Sequence, residues 1–374
     1  MKIVVASGLV AGSHLAHALN TIKMAQGFAR LHHNVHLICL GDETTPETAV
    51  LNDHYAITTP IQWHIIPRRI LGLPVDPNWL FSLLAFFITL HLRPDAIYCR
   101  SYVYPYLTAR ASIPTFAESH AHPGNQTRPF RLFVRASRHK AFRQWVTISH
   151  RLAAHYQTLG VPPQKITVLP DAVDLTLFQR PSTLPPSPYI TPGPHITYTG
   201  HLYDYKGIPT ILETAVHLPH IQFHLVGGLP EDIARHKAAA QAKQLTNIHF
   251  HGIQPHKNVP PYLWHADLLL LPPSQHHPSA AWTSPLKLGE YLASGTPVIA
   301  TQIPALQDWL TPDDVIFVPP DNAAALAKAI TNLLNDPAKQ QALAQNARQK
   351  ARTLSYTHRA ETILSLLTRS NQAE

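Results

Sequence analysis

Residues 283–301, TSPLKLGEYLASGTPVIAT, hold the densest set of side chains able to do chemistry. Ser284 is a good helix N-cap, Pro285 suits the first helical position, and the spacing predicts a short helix that Ser294 and Gly295 stop. A helix start carries unpaired N–H groups and the positive end of the helix dipole, so the amides of Leu286 and Lys287 form a seat for a phosphate. Lys287 adds a full charge there. Further along, Glu290 offers a carboxylate that can accept hydrogen bonds from sugar hydroxyls. Phosphate at one end and hydroxyls at the other point to a nucleotide sugar. Standing alone, the same stretch would also suit an ordinary capped helix of an α/β domain.

Other stretches have related chemistry. Residues 200–207, GHLYDYKG, follow one strand pattern and open a helix, which places Gly200, His201 and Lys206 beside a helix start; Lys206 can pair with a diphosphate or be a solvated loop lysine. Gly227 ends the next strand, where a flat ring or a backbone can approach closely, and a plain turn explains it equally well. Glu118, Ser119 and His120 end a strand of the first half, at the edge where open α/β sheets place ligands; His120 can face a reacting sugar or serve as a structural imidazole. Residues 8–14, with Gly12 and Ser13, resemble a phosphate loop but lack its Lys and Ser/Thr. His122 and Pro123 read as loop.

These residues must be held by strands and helices in alternation. β-Branched runs predict strands at 2–7, 35–40, 62–66, 96–99, 114–118, 145–149 and 166–169, and a second series at 195–199, 222–226, 247–250, 267–271, 297–300 and 315–318. Helices are expected between them, beginning in the second half near Ile208, Asp232, Val259, Pro285, Asn322 and Ala338. This is the βαβ pattern of parallel sheets with right-handed crossovers. Between the two series, residues 181–194 contain six prolines and no apolar period, the mark of a stiff linker. The expected division is an N-terminal domain over 1–183, a linker over 184–194, a C-terminal domain over 195–352, and a C-terminal helix over 353–374 that packs back on the first domain. The default ligand site is a cleft between the two doubly wound units.

Composition limits the function classes. A chain of 374 residues exceeds what one core usually supports, and only Cys39 and Cys99 are present, which excludes a disulfide framework and fits a reducing compartment, the cytoplasm by default. A formal charge of +8 suits anionic ligands. The basic residues read as scattered rather than striped, with no zinc knuckle or RNP pattern, so no nucleic acid partner is expected. The 26 histidines share no ligand spacing, and no metal site is expected. The start, MKIVVAS, reads as a strand and predicts no export by a signal peptide. The apolar window 79–92 is shorter than the about 20 residues of a spanning helix; with Arg68 and Arg69 nearby it suits a membrane surface, and core packing suits it as well.

The ordered segments GHLYDYKG, LVGG, FHGIQPHKNVPPYLWHADLLLLPP and SPLKLGEYLASGTPVIA resemble the C-terminal domain of the retaining glycosyltransferases of family 4. SHLAHALNTIKMAQGFARLHHNVHLICL, the ESH at a strand end, and TISHRLAAHYQTLGVPPQKITVLPDAVDLTLF resemble its first domain, with Asp171-Ala172 where Asn-Gly is usual. The resemblance implies an α/β protein of GT-B fold, two Rossmann-like doubly wound domains facing each other across a cleft. It implies transfer of a glycosyl group, with retention, from a nucleoside-diphosphate sugar to a glycan, lipid or small-molecule acceptor, with the sugar nucleotide as co-substrate and no other cofactor or metal.

By the same resemblance, Lys206 holds the diphosphate with Gly200, His201 and Gly227 near it. Ser284, Pro285, Leu286 and Lys287 cradle a phosphate, Glu290 binds ribose, His120 sits near the transferred sugar, and the loop of Gly12 and Ser13 closes over the donor. Lys206, Glu290 and His120 are the expected catalytic residues. Two positions depart from the pattern: Trp282 stands where the first glutamate of E-x7-E falls, and His201 where an arginine precedes the lysine. They keep open a GT-B epimerase, an inverting transferase, or a nucleotide-binding protein without turnover.

Overall fold

The structure is a computed structural model that describes residues 1–13, 15–42, 44–70, 72–120 and 127–369. His14, in the expected first loop, and the expected loop residues His122 and Pro123 lie outside them. The chain divides into two units. Unit 1 is Met1–Ala172 together with the segment from Tyr356, and unit 2 is Val173–Ser355.

Continuous Val, Ile and Leu runs pair in parallel when helices cover both sheet faces. In unit 1 they form β1 (Lys2–Val10), β2 (Asn34–Gly41), β3 (Gln62–Pro67), a short hairpin of β4 (Arg69–Ile70) and β5 (Leu73–Pro74), β6 (Ala96–Arg100), β7 (Thr115–Ser119), β8 (Phe142–Thr147) and β9 (Ile166–Val168). Seven of them make one parallel sheet in the order β3-β2-β1-β6-β7-β8-β9. Each falls on a run expected from the sequence. β1 continues through Val10, so residues 8–10 are strand and not loop, with a register shift against β2 between Ala6 and Val10. The helix Ala16–Arg30 follows β1 and buries Ile22, Ala25 and Phe28 in the same cluster as Tyr356, Ala360 and Ile363 of the C-terminal helix Tyr356–Arg369. Gly27 permits this approach: a Cβ there would lie 2.7 Å from the Tyr356 carbonyl oxygen.

Unit 2 repeats the plan with β10 (His195–Thr199), β11 (Gln222–Val226), β12 (Ile248–Gly252), β13 (Leu268–Leu271), β14 (Val298–Thr301) and β15 (Ile316–Val318), in the parallel order β12-β11-β10-β13-β14-β15. The division between units falls after Ala172, before the expected 183, because residues 173–194 are fastened to unit 2. The Val173 amide donates to the Leu354 carbonyl (2.8 Å), Trp264 Nε1 donates to the Phe178 carbonyl (3.0 Å), and His265 Nε2 donates to the Pro185 carbonyl (2.7 Å). Phe178 and Tyr189 are buried. The Pro-rich stretch is thus a strap on unit 2 rather than a free spacer.

Tyr189 covers a run of histidines on β10, β11 and β12. His224 Nε2 meets His195 Nδ1 at 3.0 Å, its Nδ1 meets His251 Nε2 at 3.0 Å, its ring stacks on His249, and the Tyr189 ring lies 4.1 Å from it. One-proton imidazoles can hand hydrogen bonds along such a row, whereas protonating the middle ring would set two donors face to face. His224 is 2% exposed, and burial, then His249, His251 and His195, push its pKa down to about 2. Its folded pKa lies below the unfolded value, so its contribution to stability is complete above that value and is lost as pH falls below it. Unit 2 is expected to lose up to about 1.4 kcal/mol per pH unit from this group below about pH 6.5. Urea unfolding across that range checks this: His224→Gln should flatten the dependence, and an unchanged slope would contradict the assignment.

Candidate active site

The site in unit 2 is built where the ends of β10 and β11 meet the start of the helix Leu286–Ser294. The Gly200 amide donates to the Val226 carbonyl (2.8 Å), and a Cβ on Gly227 would lie 2.4 Å from the Gly200 oxygen, so these backbones touch without side chains between them. Gly200 has φ +119, and its own Cβ would lie 2.9 Å from Lys287 Nζ. The lysine reaches back over the end of β10 through the space the glycine leaves, with its ammonium 3.7 Å from the centre of the Tyr198 ring. Tyr291, one turn on, accepts from the Thr199 amide at 2.8 Å and so pins the helix to β10.

The helix begins at Leu286 with Pro285 in the N-cap position, one residue later than expected, and its first turn carries no acidic residue. Ser284 is buried just before it. The amides of Leu286 and Lys287 are in the first turn, where helical geometry offers them no carbonyl partner.

Lys206 arrives from a separate turn. Asp204–Lys206 is a single turn of 3-10 helix closed by Gly207 at φ +87, where a Cβ would overlap the Pro272 carbonyl. This sets Lys206 Nζ 2.9 Å from His277 Nε2. The other ring nitrogen, Nδ1, accepts from the Ser279 amide at 3.0 Å. A neutral imidazole has one acceptor nitrogen, so its proton is on Nε2 and points at the lysine. Two donors therefore confront each other unless Lys206 gives up its proton.

The electrostatics agree. Burial pushes the Lys206 pKa down, and burial followed by the Lys206 charge pushes that of Lys287 well down. His277 is pushed down to about 4 by burial, then by Lys206 and Lys287, and His201 is lowered by burial, then by Lys287 and Lys206. Neither lysine has a carboxylate within ion-pair distance among the described residues. Such a cluster is relieved by an anion that accepts from every member. Glu290 lies one turn beyond Lys287 and accepts from His256 Nε2 at 2.9 Å, and the His256 ring packs on Phe178. His201 stacks on Tyr203 with ring planes 9° apart.

In unit 1, β7 delivers Glu118 and His120 to its carboxyl end. His120 Nε2 donates to Glu118 Oε1 and lies 3.7 Å from Asp171 Oδ1. Glu118 pairs with Arg359 of the C-terminal helix at 3.0 Å, Asn20 donates to Asp171 at 3.1 Å, and Tyr356 donates to Asn20 at 3.0 Å. Burial opposes charge on Glu118, but Arg359 and His120 hold it down to about 2. Burial, with Glu118 beside it, raises Asp171. The ligand atoms of Glu118, His120 and Asp171 lie within 4.8 Å of one another, a spacing a cation could use. Arg359 and Asn20 already take up the carboxylate oxygens, so the cluster is a compensated network that fixes His120.

Gly12 and Ser13 are in the turn after β1, with Gly12 at φ +85 and the Ser13 carbonyl accepting from Tyr55 at 2.9 Å. The residues expected in the second half, Gly200, His201, Lys206, Gly227, Ser284, Pro285, Leu286, Lys287 and Glu290, all belong to unit 2. Sequence reasoning missed His277 and His256 there, and Asn20, Asp171 and Arg359 around His120. Of these, only Asp171 had a signal, as the departure from Asn in the LPDAVD segment.

Two Rossmann-like units of parallel strands, the second with cations at its strand ends, define the GT-B class. The Anabaena protein HepE, solved in complex with UDP and glucose, matches with TM-score 0.72 at 17% identity, covering 99% of this chain and 100% of that one. Sucrose-phosphate synthase of Thermosynechococcus elongatus matches with TM-score 0.71 at 19% identity over the full length of both. In sequence, the family profile "Glycosyltransferase Family 4" matches residues 21–177 and "Glycosyl transferases group 1" matches residues 187–350. The chain belongs to the family 4 glycosyltransferases. It is 28% identical over 201 residues to a 2-deoxystreptamine glucosyltransferase of Streptomyces kanamyceticus, covering 48% of each. It is 27% identical over 190 residues to the putative colanic acid biosynthesis glycosyltransferase WcaL of Escherichia coli, covering 49% of this chain and 45% of that one. The chain spans about half the length of the curated relatives it matches.

Gly200→Ala would place a methyl group against Lys287 Nζ at a backbone angle that favours glycine. It is expected to weaken binding of inorganic pyrophosphate to the purified protein by about tenfold or more, near 1.4 kcal/mol, in calorimetry. Unchanged affinity in a folded variant would remove Lys287 from the anion site.

Proposed function

We propose that the protein is a retaining glycosyltransferase that moves a sugar from a nucleoside-diphosphate sugar to a glycan, lipid or small-molecule acceptor. The observation that carries this is the crowding of Lys206, Lys287 and His277 at the start of the Leu286–Ser294 helix, where the charge of Glu290 offsets that of Lys287 only in part and neither lysine has a carboxylate at ion-pair distance among the described residues. A diphosphate supplies the remaining counter-charge, and Glu290 is set to take ribose hydroxyls in exchange for His256. The fold shared with HepE, which was solved in complex with UDP and glucose, supports a nucleotide sugar as donor.

In the transfer, the bond from the sugar's C1 to the diphosphate oxygen breaks and the acceptor oxygen bonds to C1 on the same face. The acceptor's proton passes to the departing phosphate oxygen. Charge on the diphosphate grows as its bond breaks, so Lys206, Lys287 and the helix amides stabilise the transition state more than the ground state. His277, whose Nε2–H faces Lys206, can donate that hydrogen bond to the diphosphate while Nδ1 keeps the Ser279 amide. His120, held by Glu118, is the group of unit 1 assigned to the transferred sugar. The sugar nucleotide is the co-substrate, and these cations take the place a metal would fill at its phosphates.

A second reading, nucleotide binding without turnover, is motivated by Trp282 and by His201 stacked on Tyr203. Incubation with UDP-, GDP- and ADP-sugars and an acceptor extract separates the two. Release of nucleoside diphosphate with an axial-to-axial or equatorial-to-equatorial product supports retaining transfer, inversion overturns the retaining assignment, and binding without release supports the second reading. Lys206→Ala and Glu290→Ala are each expected to lower donor turnover by about tenfold or more, near 1.4 kcal/mol, with or without a chelator. Wild-type rates in both variants would remove these roles.

A further inference from the structure

The positive charge of this chain is concentrated. Residues 119–170 contain eight Lys and Arg and no Asp or Glu, as many charges as the formal +8 of the whole chain. The basic residues, read as scattered from the sequence, are therefore clustered in unit 1. On the helix Arg128–Ser137, Arg128, Arg131 and Arg135 recur at spacings of three and four and Arg138 follows at the C-cap, so the four share one face while Phe130 and Phe133 are buried on the other. All four are exposed, and none pairs with a carboxylate among the described residues. With Trp79, Leu132, Val134 and Leu159 they line an open cavity of about 470 Å³, so that apolar and cationic side chains share its wall.

Trp79 also begins a second feature. It precedes the helix Leu80–Leu92, and with Leu83, Phe87 and Leu90 it forms a stripe at spacings of four, four and three residues. These four side chains are 49%, 45%, 59% and 44% exposed. The hairpin β4–β5 just before it exposes Leu73 and Arg69. No described helix is long and apolar enough to cross a membrane.

We propose that unit 1 docks on an anionic phospholipid surface, the Trp79-Leu83-Phe87-Leu90 stripe entering the acyl boundary and a lipid phosphate seated among Arg128, Arg131, Arg135 and Arg138. The argument is one of complementarity. A bilayer face presents phosphates directly beside hydrocarbon, and the protein presents guanidinium groups without a carboxylate partner among the described residues, Arg138 donating to the Gly160 carbonyl, close to exposed apolar side chains. Guanidinium groups match phosphate oxygens in paired geometry. A nucleic acid would satisfy the arginines and leave the apolar stripe in water. This goes beyond the transfer reaction and does not depend on it.

Co-sedimentation with vesicles tests it, using pure phosphatidylcholine and phosphatidylcholine mixed with phosphatidylglycerol. Partition to the anionic vesicles is expected to exceed that to the neutral ones by about tenfold or more at low salt and to fall as salt rises. Arg131→Glu with Arg135→Glu should reduce it about tenfold or more, and Leu83→Ser with Phe87→Ser should reduce it at unchanged charge. These side chains are exposed, so an unchanged unfolding midpoint shows that the fold is kept; if charge reversal prevents folding, Arg131→Gln with Arg135→Gln gives the reading. Equal recovery with both vesicles, or wild-type partition in the arginine variant, overturns the proposal. Binding of glycerol 3-phosphate in solution without any vesicle binding would assign the cavity to a free phosphate and overturn it as well.

Discussion

The structure of unit 2 turns on the positive charge gathered at the end of β10. Burial lowers the pKa of all three groups, Lys206 lowers Lys287 further and both lysines lower His277, and the chain keeps them together by backbone means: Gly207 closes the Lys206 turn against Pro272, Gly200 leaves the path for the Lys287 side chain, and Tyr291 ties the helix to Thr199. Withdrawing cations from water costs stability unless something negative comes to meet them. Under the proposed function, a ligand is what meets them here. With a diphosphate as that ligand, binding and protonation are linked, because the lowered pKa values of Lys206 and Lys287 rise beside its charge.

Unit 1 treats its buried charges in the opposite way. Glu118 and Asp171 are close and withdrawn from water, but Arg359, His120 and Asn20 answer them within the fold. The result is rigidity rather than readiness. The C-terminal helix that supplies Arg359 and Tyr356 is therefore part of the support for His120, although some 240 residues separate them in sequence. One unit leaves its lysines without an ion pair among the described residues, and the other has answered its own charges.

Most of the architecture was legible because parallel strands announce themselves as apolar runs buried on both faces. All thirteen strands of the two sheets fall on expected runs, and Gly200, Gly227, Lys206 and Lys287, singled out in the sequence, gather around the ends of β10 and β11. What stayed hidden depends on distance in sequence. His277 is one of 26 histidines, and only the fold brings it to Lys206. Arg359 looked like any basic residue on a terminal amphipathic helix. The Pro-rich segment read as a spacer because proline removes periodicity, yet Tyr189 within it is buried against a row of histidines. The arginine stripe was present in RPFRLFVRAS at helical spacing and was lost by averaging charge over the whole chain.

The most direct test of the central claim is proton uptake on nucleotide binding. Titrating UDP, GDP or ADP into the protein in buffers of different ionisation enthalpy, at about pH 8 where the terminal phosphate is already ionised, measures the protons the protein gains. The account predicts net uptake, as Lys206 and Lys287, lowered by burial in the free protein, regain affinity for protons beside the diphosphate. Tight binding of all three nucleotides' diphosphate with no proton taken up would contradict it.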